Sequence, residues 1–370
     1  MINQPAKTVR YTTPTMAKRK SKSTTIYDVA RLATVSPATV SAVINGTAVV
    51  SAVRTKRVRE AMVALDYHPD HIARSLKTGK THAIGMVVPD VTNPFYPEVI
   101  RGVEQAAERA GYSIIFVNAN EDPEQERRGL QALISRRVDG ALIGCCDNTT
   151  ATFDLVSRRN VPTVFLDRVP QGVNAIRIST DNFKAGLAGT KHLIDLGHER
   201  IAIVAGRMDL SPHVQRVEGF RKAMQEPGLP VRDEYFRTGS LSSETGYQIG
   251  KQLLQLDRRP TAIFCTNNKT LLGLVRALGE CHVRCPDEVS ILGFDDFAWT
   301  ENFHPKITTI VQPAQELGRR GMEMLIQQIK MHDSGETNPP SAYETVLLEA
   351  ELKIRESTAL PRSLGLGIAP

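Results

Sequence analysis

The stretch "TIYDVARLATVSPATVSAVING", residues 25–46, holds two helical patterns that are separated by a short turn at Thr34-Val35. Thr25 followed three residues later by Asp28 is a capping box, which predicts a first helix at about residues 25–33. Ser36 is a good N-cap and Pro37 suits the first position of a second helix. Apolar residues in this second helix recur at the spacing of a buried stripe, namely Val40, Val43 and Ile44.

A third helix is predicted to begin at Ser51, with an inner face formed by Val58, Met62 and Leu65. Helix, tight turn, helix and supporting helix form the helix-turn-helix pattern of DNA-binding heads, although a basic helical hairpin also fits a protein-docking module. The outward face of the second helix has few groups that hydrogen-bond to bases, because it offers only Pro37, Ala38, Thr39, Ser41, Ala42 and Asn45. The pattern therefore leaves open what this helix recognises.

The net charge is distributed unevenly along the chain. Residues 1–80 carry a net charge of +10, whereas residues 81–370 carry −4. A small basic head joined to a mildly acidic body indicates a module that binds a polyanion. Residues 1–23 are predicted to form a basic disordered tail.

From Ala83 onward, short apolar runs alternate with amphipathic helical stretches. The runs form two series: "AIGMVVP", "SIIFVNA", "DGALIG", "VPTVFLD" and "NAIRIST", and then "RIAIVAG", "TAIFCTN" and "VSILGFDD". Near-continuous apolar strands between helices are typical of parallel sheets that are covered on both faces, and two series predict two lobes. The predicted fold class is thus an all-α head followed by an α/β body with parallel sheets.

Polar side chains follow three of these predicted strands, namely Asp167, Asn267 and Asp295. Open α/β sheets bind ligands beyond the carboxyl ends of their strands. Carboxylates at that edge accept hydrogen bonds from hydroxyls, and Arg216, in "QRVEGF", offers a rigid fork of donors. The set suits the adjacent hydroxyls of a sugar, although strand-end carboxylates also cap helices or pair locally.

Several classes of protein are not expected. No apolar run approaches the roughly 20 residues that cross a bilayer and no secretory signal is visible, so we expect a cytoplasmic protein without a membrane partner. The five cysteines are odd in number and predict free thiols, with a metal site at Cys281 and Cys285 as the alternative. No nucleophile elbow, P-loop or strand-linked dinucleotide motif appears, so we expect no enzyme, no cofactor and no metal.

The head sequence, together with "NPFYPEVIRGVE", "IDLGHERIAIVAG" and "VSILGFDD", resembles the lactose/galactose repressor (LacI/GalR) family of bacterial transcription regulators over about residues 24–355. The resemblance implies a helix-turn-helix domain at 24–69 and a hinge helix or linker at 70–80. It implies a periplasmic-binding-protein-like body at 81–355 for effector binding and dimerisation, followed by a C-terminal tail at 356–370. The chain is expected to cross between the two lobes near residues 181, 309 and 341.

Position by position, the resemblance assigns two kinds of DNA contact within the head. Phosphate contacts set the register without reading sequence, and they fall to Thr25, Tyr27, Ser36, Thr39, Ser41 and Asn45. The base-reading positions are Pro37, Ala38 and Ala42, which can touch thymine methyls but make no bidentate hydrogen bonds. In the hinge, Leu76 aligns with a leucine wedged into the minor groove and Ala73 with a neighbouring contact. Thr34 replaces the usual Gly, so a positive φ there would strain the turn by about 1 kcal/mol or more.

In the body, the resemblance implies that Arg216 and Asp295 bind the effector. Other positions that line the cleft in relatives are Asn93, Phe95, Asp167 and Asn267. Two departures affect the choice of ligand: Leu241 stands where an aromatic often stacks on the sugar or purine, and Asn268 replaces a common Asp. A smaller or more polar effector is therefore favoured.

The whole chain is thus expected to be a homodimeric transcriptional regulator, most often a repressor, that binds double-stranded operator DNA. A small effector, a sugar or a related metabolite, is expected to control operator binding from the cleft. Two alternatives stay open: a solute-binding sensor without a DNA role, and a regulator that responds to a purine or nucleoside.

Overall fold

A computed structural model describes residues 24–46, 48–67, 79–170, 172–335 and 345–361. These residues fall into two compact units, a head that precedes the linker and a body that begins at Gly79. The head is helical and the body contains two largely parallel sheets. The predicted fold class is confirmed.

The head contains three helices: α1 (Ile26–Ala33), α2 (Pro37–Asn45) and α3 (Ala52–Ala64). The capping box forms as predicted, because Asp28 Oδ2 accepts hydrogen bonds from the Thr25 amide at 3.0 Å and the Thr25 hydroxyl at 2.7 Å. Ser36 caps α2 by accepting from the amide of Thr39 at 3.1 Å. Thr34 ends α1 with a φ of 57°, so it adopts the left-handed conformation that a β-branched residue disfavours. The core of the head includes Val29, Ala33, Val40, Val58 and Ala61.

The first lobe of the body is built on a six-stranded sheet with the order β2-β1-β3-β4-β5-β11. All neighbouring strands in it are parallel. Its strands are β1 (Ala83–Val88), β2 (Ser113–Asn118), β3 (Gly140–Ile143), β4 (Thr163–Leu166), β5 (Arg177–Thr180) and β11 (Thr345–Leu348). Its helices are α4 (Phe95–Arg109), α5 (Pro123–Ser135), α6 (Ala151–Arg158) and α12 (Ala314–Ser334).

Side chains of β1 alternate between the two faces of this sheet. Ile84 and Met86 pack with residues of α4 and α12, whereas Val87 packs on the other face with residues of α5 and α6. Both faces are therefore buried, which explains why the strand sequence is apolar throughout.

The second lobe repeats this plan with the strand order β7-β6-β8-β9-β10-β12, in which β12 alone runs antiparallel to its neighbour. Its strands are β6 (Ile201–Ala205), β7 (Phe236–Thr238), β8 (Ala262–Cys265), β9 (Ser290–Phe294), β10 (Thr308–Val311) and β12 (Glu351–Lys353). Its helices are α7 (Asn182–Asp195), α8 (Ser211–Gln225), α9 (Ser243–Leu254), α10 (Asn268–Glu280) and α11 (Ala298–Asn302).

The chain passes between the lobes first at Asp181, between β5 and α7. The second passage follows β10, at Gln312 and Pro313, because β10 pairs with β9 as far as Ile310 and with β12 as far as Val311, and both partners belong to the second lobe. The position predicted near 341 lies outside the described residues. The third passage falls later, at 349–350, because β11 still pairs with β5 of the first lobe and β12 is the first element back in the second.

The predicted boundary of the C-terminal tail at 356 is also too early. Ser357 is fully buried, and its hydroxyl donates to the Ile291 carbonyl at 2.6 Å and accepts from the Thr308 amide at 2.8 Å. The carbonyl of Ala359 bonds to His198 Nε2 at 2.9 Å. Residues 356–359 therefore belong to the second lobe, because Ser357 satisfies buried backbone groups of β9 and β10.

All five cysteines are free thiols; Cys145, Cys146 and Cys265 are buried, and Cys281 and Cys285 are partly exposed. Among the described residues, no group of His, Cys, Asp and Glu side chains is arranged to hold a metal ion. None of the described helices is both long enough and apolar enough to span a bilayer.

Candidate functional site: the DNA-reading head and the inter-lobe cleft

The predicted DNA contacts that the structure describes lie on the outer surface of the head. Thr25, Tyr27, Ser36 and Ala38 are exposed, and Tyr27 retains 67% of its accessible surface. Pro37, Thr39, Ser41 and Ala42 are half-buried along α2, and Asn45 ends that helix. Ala73 and Leu76 lie outside the described residues. The exposed side of α2 thus presents small and apolar groups, as the sequence indicates.

Polar residues from both lobes line one cleft between them. Asp167 directly follows β4, Asp295 directly follows β9 and Asn267 lies just beyond β8. The space between the lining residues of the cleft is about 480 Å³, part of it open solvent. All six predicted effector residues line it, namely Asn93, Phe95, Asp167, Arg216, Asn267 and Asp295. The tertiary structure brings this set together, and its role as an effector site stays a prediction.

Two of these residues have unusual backbone conformations. Asp167 has a φ of 62° and Asp295 has a φ of 71°. Aspartate tolerates this left-handed region better than most residues, and such conformations are concentrated at ligand sites. Burial raises the pKa of both carboxyls above the ordinary range.

Arg216 is placed in the cleft by the close packing of α7 and α8. A Cβ atom on Gly186 would lie 2.2 Å from the Arg216 carbonyl oxygen, so only glycine permits this approach. Arg216 is 4% exposed, and its guanidinium donates to Asn182 Oδ1 at 2.8 Å and to the Thr266 carbonyl at 2.6 Å. It also lies over the Phe294 ring, 3.5 Å from the centroid. Burial lowers the pKa of Arg216 to about 10, which leaves the group cationic at neutral pH.

A chain of hydrogen bonds extends from Arg216 to the first lobe. Arg216 donates to Gln312 Oε1 at 3.5 Å, and Gln312 Nε2 donates to Asp295 Oδ1 at 2.6 Å. Asn268 Nδ2 donates to Asp295 Oδ2 at 3.0 Å and to Asn93 Oδ1, in the first lobe, at 2.8 Å. The Asn268 amide thus links the two lobes with both of its hydrogens.

Three buried polar atoms in the cleft have no hydrogen-bond partner among the described residues: Asp167 Oδ1, Asn267 Nδ2 and His213 Nδ1. The other oxygen of Asp167 accepts from the Tyr96 hydroxyl at 3.3 Å, and Asn267 Oδ1 caps α10 through the Thr270 amide at 3.0 Å. Burial and the nearby cation Arg216 lower the pKa of His213 well below its ordinary value, so its ring is neutral. Buried polar groups normally find partners, so these three atoms are available to hydrogen-bond a bound molecule.

Ion pairs around the cleft join the lobes as well. Lys269 Nζ lies 2.5 Å from Asp90 Oδ2, and although burial opposes ionisation, hydrogen bonds from Lys269 and Thr92 lower the pKa of Asp90. Arg168 forms a bidentate pair with Glu121 at 2.8 and 2.9 Å. Arg207 of the second lobe lies 3.6 Å from the same carboxylate.

The sequence prediction did not include these cleft residues: Asp90, Glu121, Arg168, Arg207, His213, Lys269 and Gln312. The strand-end rule that identified Asp167 would have identified Asp90, which ends "MVVPD". Gln312 was missed because β10 was not recognised as a strand. His213 had only one signal, its position one helical turn before Arg216 on α8.

A helix-turn-helix head joined to a two-lobed body with a polar cleft defines a ligand-responsive, DNA-binding transcriptional regulator. Residues 25–70 match the model of bacterial regulatory proteins of the lacI family. Residues 81–347 match the model of periplasmic binding proteins and the sugar binding domain of the LacI family. The chain belongs to the LacI family.

Relatives and solved structures agree with this assignment. The chain is 37% identical over 333 residues to the HTH-type transcriptional repressor PurR of Actinobacillus pleuropneumoniae, covering 90% of this chain and 98% of that one. It is 38% identical over 307 residues to PurR of Vibrio parahaemolyticus, covering 83% and 92%. The lac repressor dimer bound to operator and the anti-inducer ONPF matches with a TM-score of 0.80 at 28% identity, over 91% of this chain and 100% of that one. A complex of the regulator CelR with cellobiose matches with a TM-score of 0.69 at 28% identity, over 90% and 99%.

Proposed function

We propose that the chain is a homodimeric transcriptional repressor whose binding to operator DNA is controlled by a small polyhydroxylated effector in the inter-lobe cleft. The lac repressor dimer on its operator, which the chain matches over 91% of its length, supports the dimer and the DNA partner. A repressor of chromosomal genes acts in the cytoplasm, and the cleft serves binding without catalysis.

On DNA, we propose that α2 enters the major groove and serves mainly to dock the head. Phosphate contacts come from Thr25, Tyr27, Ser36, Thr39, Ser41 and Asn45. The base-facing positions Pro37, Ala38 and Ala42 sense thymine methyls only, since none carries a hydrogen-bonding side chain. The hinge residues Ala73 and Leu76 are then responsible for more of the specificity, through the deformability of the central operator step.

The effector class rests on the unpartnered atoms of the cleft. Asp167 Oδ1 requires a donor and Asn267 Nδ2 requires an acceptor, while neutral His213 Nδ1 can take either role. A hydroxyl group both donates and accepts, so adjacent hydroxyls of a sugar satisfy all three atoms. Arg216 and Asp295, already joined through Gln312, contribute further donors and acceptors.

A purine or nucleoside is the second candidate effector. The 37–38% identity to repressors named PurR favours it. The cleft itself offers little for stacking, because Leu241 occupies one wall, and Phe95 and Tyr96 are 4% and 2% exposed. Their rings pack edge to face against each other, with centroids 5.1 Å apart.

A thermal-shift screen of the full chain with sugars, sugar acids, polyols, nucleosides and purines tests the proposal, since a ligand stabilises the state that it binds. The best ligand is then titrated against wild type and Asp167→Asn. Asn has the same shape, tolerates a positive φ and relieves a buried charge, so the variant should fold. Because the Asp167→Asn variant lacks the charged acceptor for a ligand hydroxyl, we expect it to bind the effector about 10- to 100-fold more weakly than wild type.

Asp195→Asn is the matched control, because Asp195 is exposed on the second lobe away from the cleft. Operator affinity without effector should be the same in wild type and both variants. Unchanged effector affinity in Asp167→Asn would show that Asp167 does not contact the ligand. If only purines and nucleosides raise the unfolding temperature in the screen, the effector is a purine or nucleoside and not a sugar.

A further inference from the structure

The first lobe carries four arginines at the edge where its strands begin. Arg136 and Arg137 lie between α5 and β3, whereas Arg158 ends α6 and Arg159 follows it on the way to β4. Because β3 and β4 are parallel neighbours in the sheet, both pairs lie at the same edge. All four side chains are exposed, and none forms an ion pair with another described residue. They form the arginine edge of the first lobe.

The chain enters the body from the DNA-binding head at this same edge. β1 is parallel to β3, so it also begins there, four residues after Gly79. Thr81 Oγ1 donates to the Arg137 carbonyl at 2.9 Å, and the Thr81 amide donates to Asp139 Oδ1 at 2.8 Å. These bonds fix the first residues of the body beside Arg137. DNA bound by the head is therefore tethered to the arginine edge through residues 68–78.

The helix dipole does not explain the arginine edge. Basic residues near the C-terminus of a helix interact favourably with its dipole, and that effect is the same in both lobes. In the second lobe, however, acidic residues follow the corresponding helices: Glu226 after α8, Asp257 after α9 and Glu288 after α10. Glu226 Oε2 lies 2.9 Å from Lys191 Nζ, in an ion pair. Glu288 Oε2 lies 3.2 Å from Arg284 Nε, in another. The dipole therefore does not account for a first-lobe edge without acidic partners.

The arginine edge has an excess of positive charge on a body whose net charge is negative. Residues 81–370 carry a net charge of −4. Asp139, close to Arg137 in the sequence, is half-buried and accepts hydrogen bonds from two backbone amides at 2.8 and 2.9 Å. Asp333 pairs with Lys80. Four exposed guanidinium groups are thus available to an anionic partner.

The same excess of charge argues against burial of this edge in the proposed homodimer. Guanidinium groups that leave water without acidic partners lose more in desolvation than they gain. The cores of subunit interfaces are accordingly poor in charged residues. A guanidinium fork matches the oxygens of a phosphate group, which it binds through two parallel hydrogen bonds. The chemistry of the edge therefore fits the backbone of a nucleic acid better than a second copy of the chain.

We infer that the arginine edge is an accessory DNA-binding surface, which contacts phosphates of the same duplex that the head binds. The inference goes beyond the proposed function, in which all DNA contacts come from the head and the hinge. The contacts are independent of sequence, because phosphates carry no base information. They strengthen binding and its dependence on salt, since each neutralised phosphate releases counterions.

The test measures the salt dependence of DNA binding by the full chain. A fluorescent duplex of random sequence is titrated at several KCl concentrations, so that base reading makes no specific contribution. One variant is Arg158→Gln with Arg159→Gln, and an independent one is Arg136→Gln with Arg137→Gln. A third, Arg158→Lys with Arg159→Lys, keeps the charge.

The matched control is Arg232→Gln with Arg258→Gln. These two arginines are exposed and precede β7 and β8, so they lie at the corresponding edge of the second lobe. The control changes the net charge by the same amount as each Gln variant. Urea unfolding of every variant verifies that it is as stable as wild type.

We expect the slope of log K against log salt to decrease by about 0.9 for each phosphate contact that is lost. Each Gln variant should therefore lower the slope by about 1 or more, whereas the control and the lysine variant should keep it. A decrease in either Gln variant that the control lacks supports the inference. If both Gln variants keep the wild-type slope, or the control lowers it equally, the arginine edge does not contact DNA.

Failure of this inference is distinguishable from failure of the proposed function. If wild type binds the duplex and the Gln variants bind it with the same slope, the accessory surface is wrong and DNA binding by the head stands. If wild type does not bind the duplex even at low salt, both proposals are wrong.

Discussion

Replacing Asn268 by Asp changes one amide nitrogen into a carboxylate oxygen at the centre of the inter-lobe network. In the wild type, that nitrogen donates to Asp295 Oδ2 at 3.0 Å and to Asn93 Oδ1 at 2.8 Å. Asn268 and Asp295 are each 6% exposed. The variant therefore loses both donors and places two buried carboxylates in contact.

The cost can be worked out in two ways. Two charges about 4 Å apart at an effective dielectric constant of about 20 repel by about 4 kcal/mol. Alternatively, one carboxyl takes up a proton, which at pH 7 costs about 4 kcal/mol when the ordinary pKa is about 3.9 and each unit costs about 1.4 kcal/mol. The cationic Arg216, joined to Asp295 through Gln312, reduces both values. We expect Asn268→Asp to lower the free energy of unfolding by about 2 to 4 kcal/mol at pH 7.

The free energy of unfolding lost in Asn268→Asp should increase with pH. Burial already raises the pKa of Asp295, and a second carboxyl raises the pKa of the pair further. The folded variant then retains a proton that the unfolded chain releases, so the penalty is largest above the folded pKa. It decreases as the pH falls toward the unfolded pKa, to at most about 1.5 kcal/mol at pH 5.

Urea unfolding of the full chain between pH 5 and pH 8 measures how the loss in the free energy of unfolding depends on pH. The matched control is Asn174→Asp, the same charge change at an exposed asparagine, which we expect to cost less than about 0.5 kcal/mol. A loss below about 1 kcal/mol at pH 8, or a loss that stays constant down to pH 5, would refute the contact between Asn268 and Asp295.

Three further predictions concern the second lobe and the DNA-binding part. Burial opposes ionisation of Asp296, but hydrogen bonds from Arg355, Thr300 and Lys353 hold its pKa well below the ordinary range. Asp296→Asn should therefore lower the free energy of unfolding by about 1 to 2 kcal/mol at pH 7. In urea unfolding, the difference in this free energy between wild type and variant should decrease as the pH falls below about 4. A difference that stays constant with pH would contradict this prediction. Ala42→Arg should create a preference of about tenfold for G at one position of the half-site, measured by binding to a randomised operator library. If all four bases are bound equally well at every half-site position, Ala42 does not face the bases. Leu76→Ala, proposed from the family resemblance, should weaken specific operator binding much more than non-specific binding; equal losses in mobility-shift titrations would remove the wedge hypothesis.

The sequence predicted the elements whose local signals are strong. The capping box at Thr25 and Asp28 and the N-cap at Ser36 locate α1 and α2, because these signals depend on residues a few positions apart. The apolar runs of the body became strands because both faces of each sheet are buried. β7, β10, β11 and β12 were not recognised; three of them, β7, β11 and β12, are edge strands with partly exposed side chains. Two of them, β10 and β11, precede passages between the lobes, which explains why the predicted positions near 309 and 341 were too early.

Within the cleft, sequence position alone identified side chains that follow buried strands, such as Asp167 and Asp295. It did not identify Lys269, Arg207 or His213, because nothing local marks a loop or helix residue as facing the other lobe. The structure also shows that Arg216→Ala would not test effector binding alone. The Arg216 guanidinium donates hydrogen bonds to Asn182, Thr266 and Gln312, so its removal would alter folding as well as binding.

By itself, the sequence determined the kinds of elements, their order and the composition of the outward face of α2, because caps, apolar periodicity and exposed side chains are local properties. Only the tertiary structure decided which strand ends meet across the cleft and that Asn268 donates hydrogen bonds to both lobes. Those contacts join residues far apart in the chain, and their distances depend on sheet order and on the three passages between lobes. No local pattern contains that information, because the same strand-end residues would be separated if the strands were connected in another order.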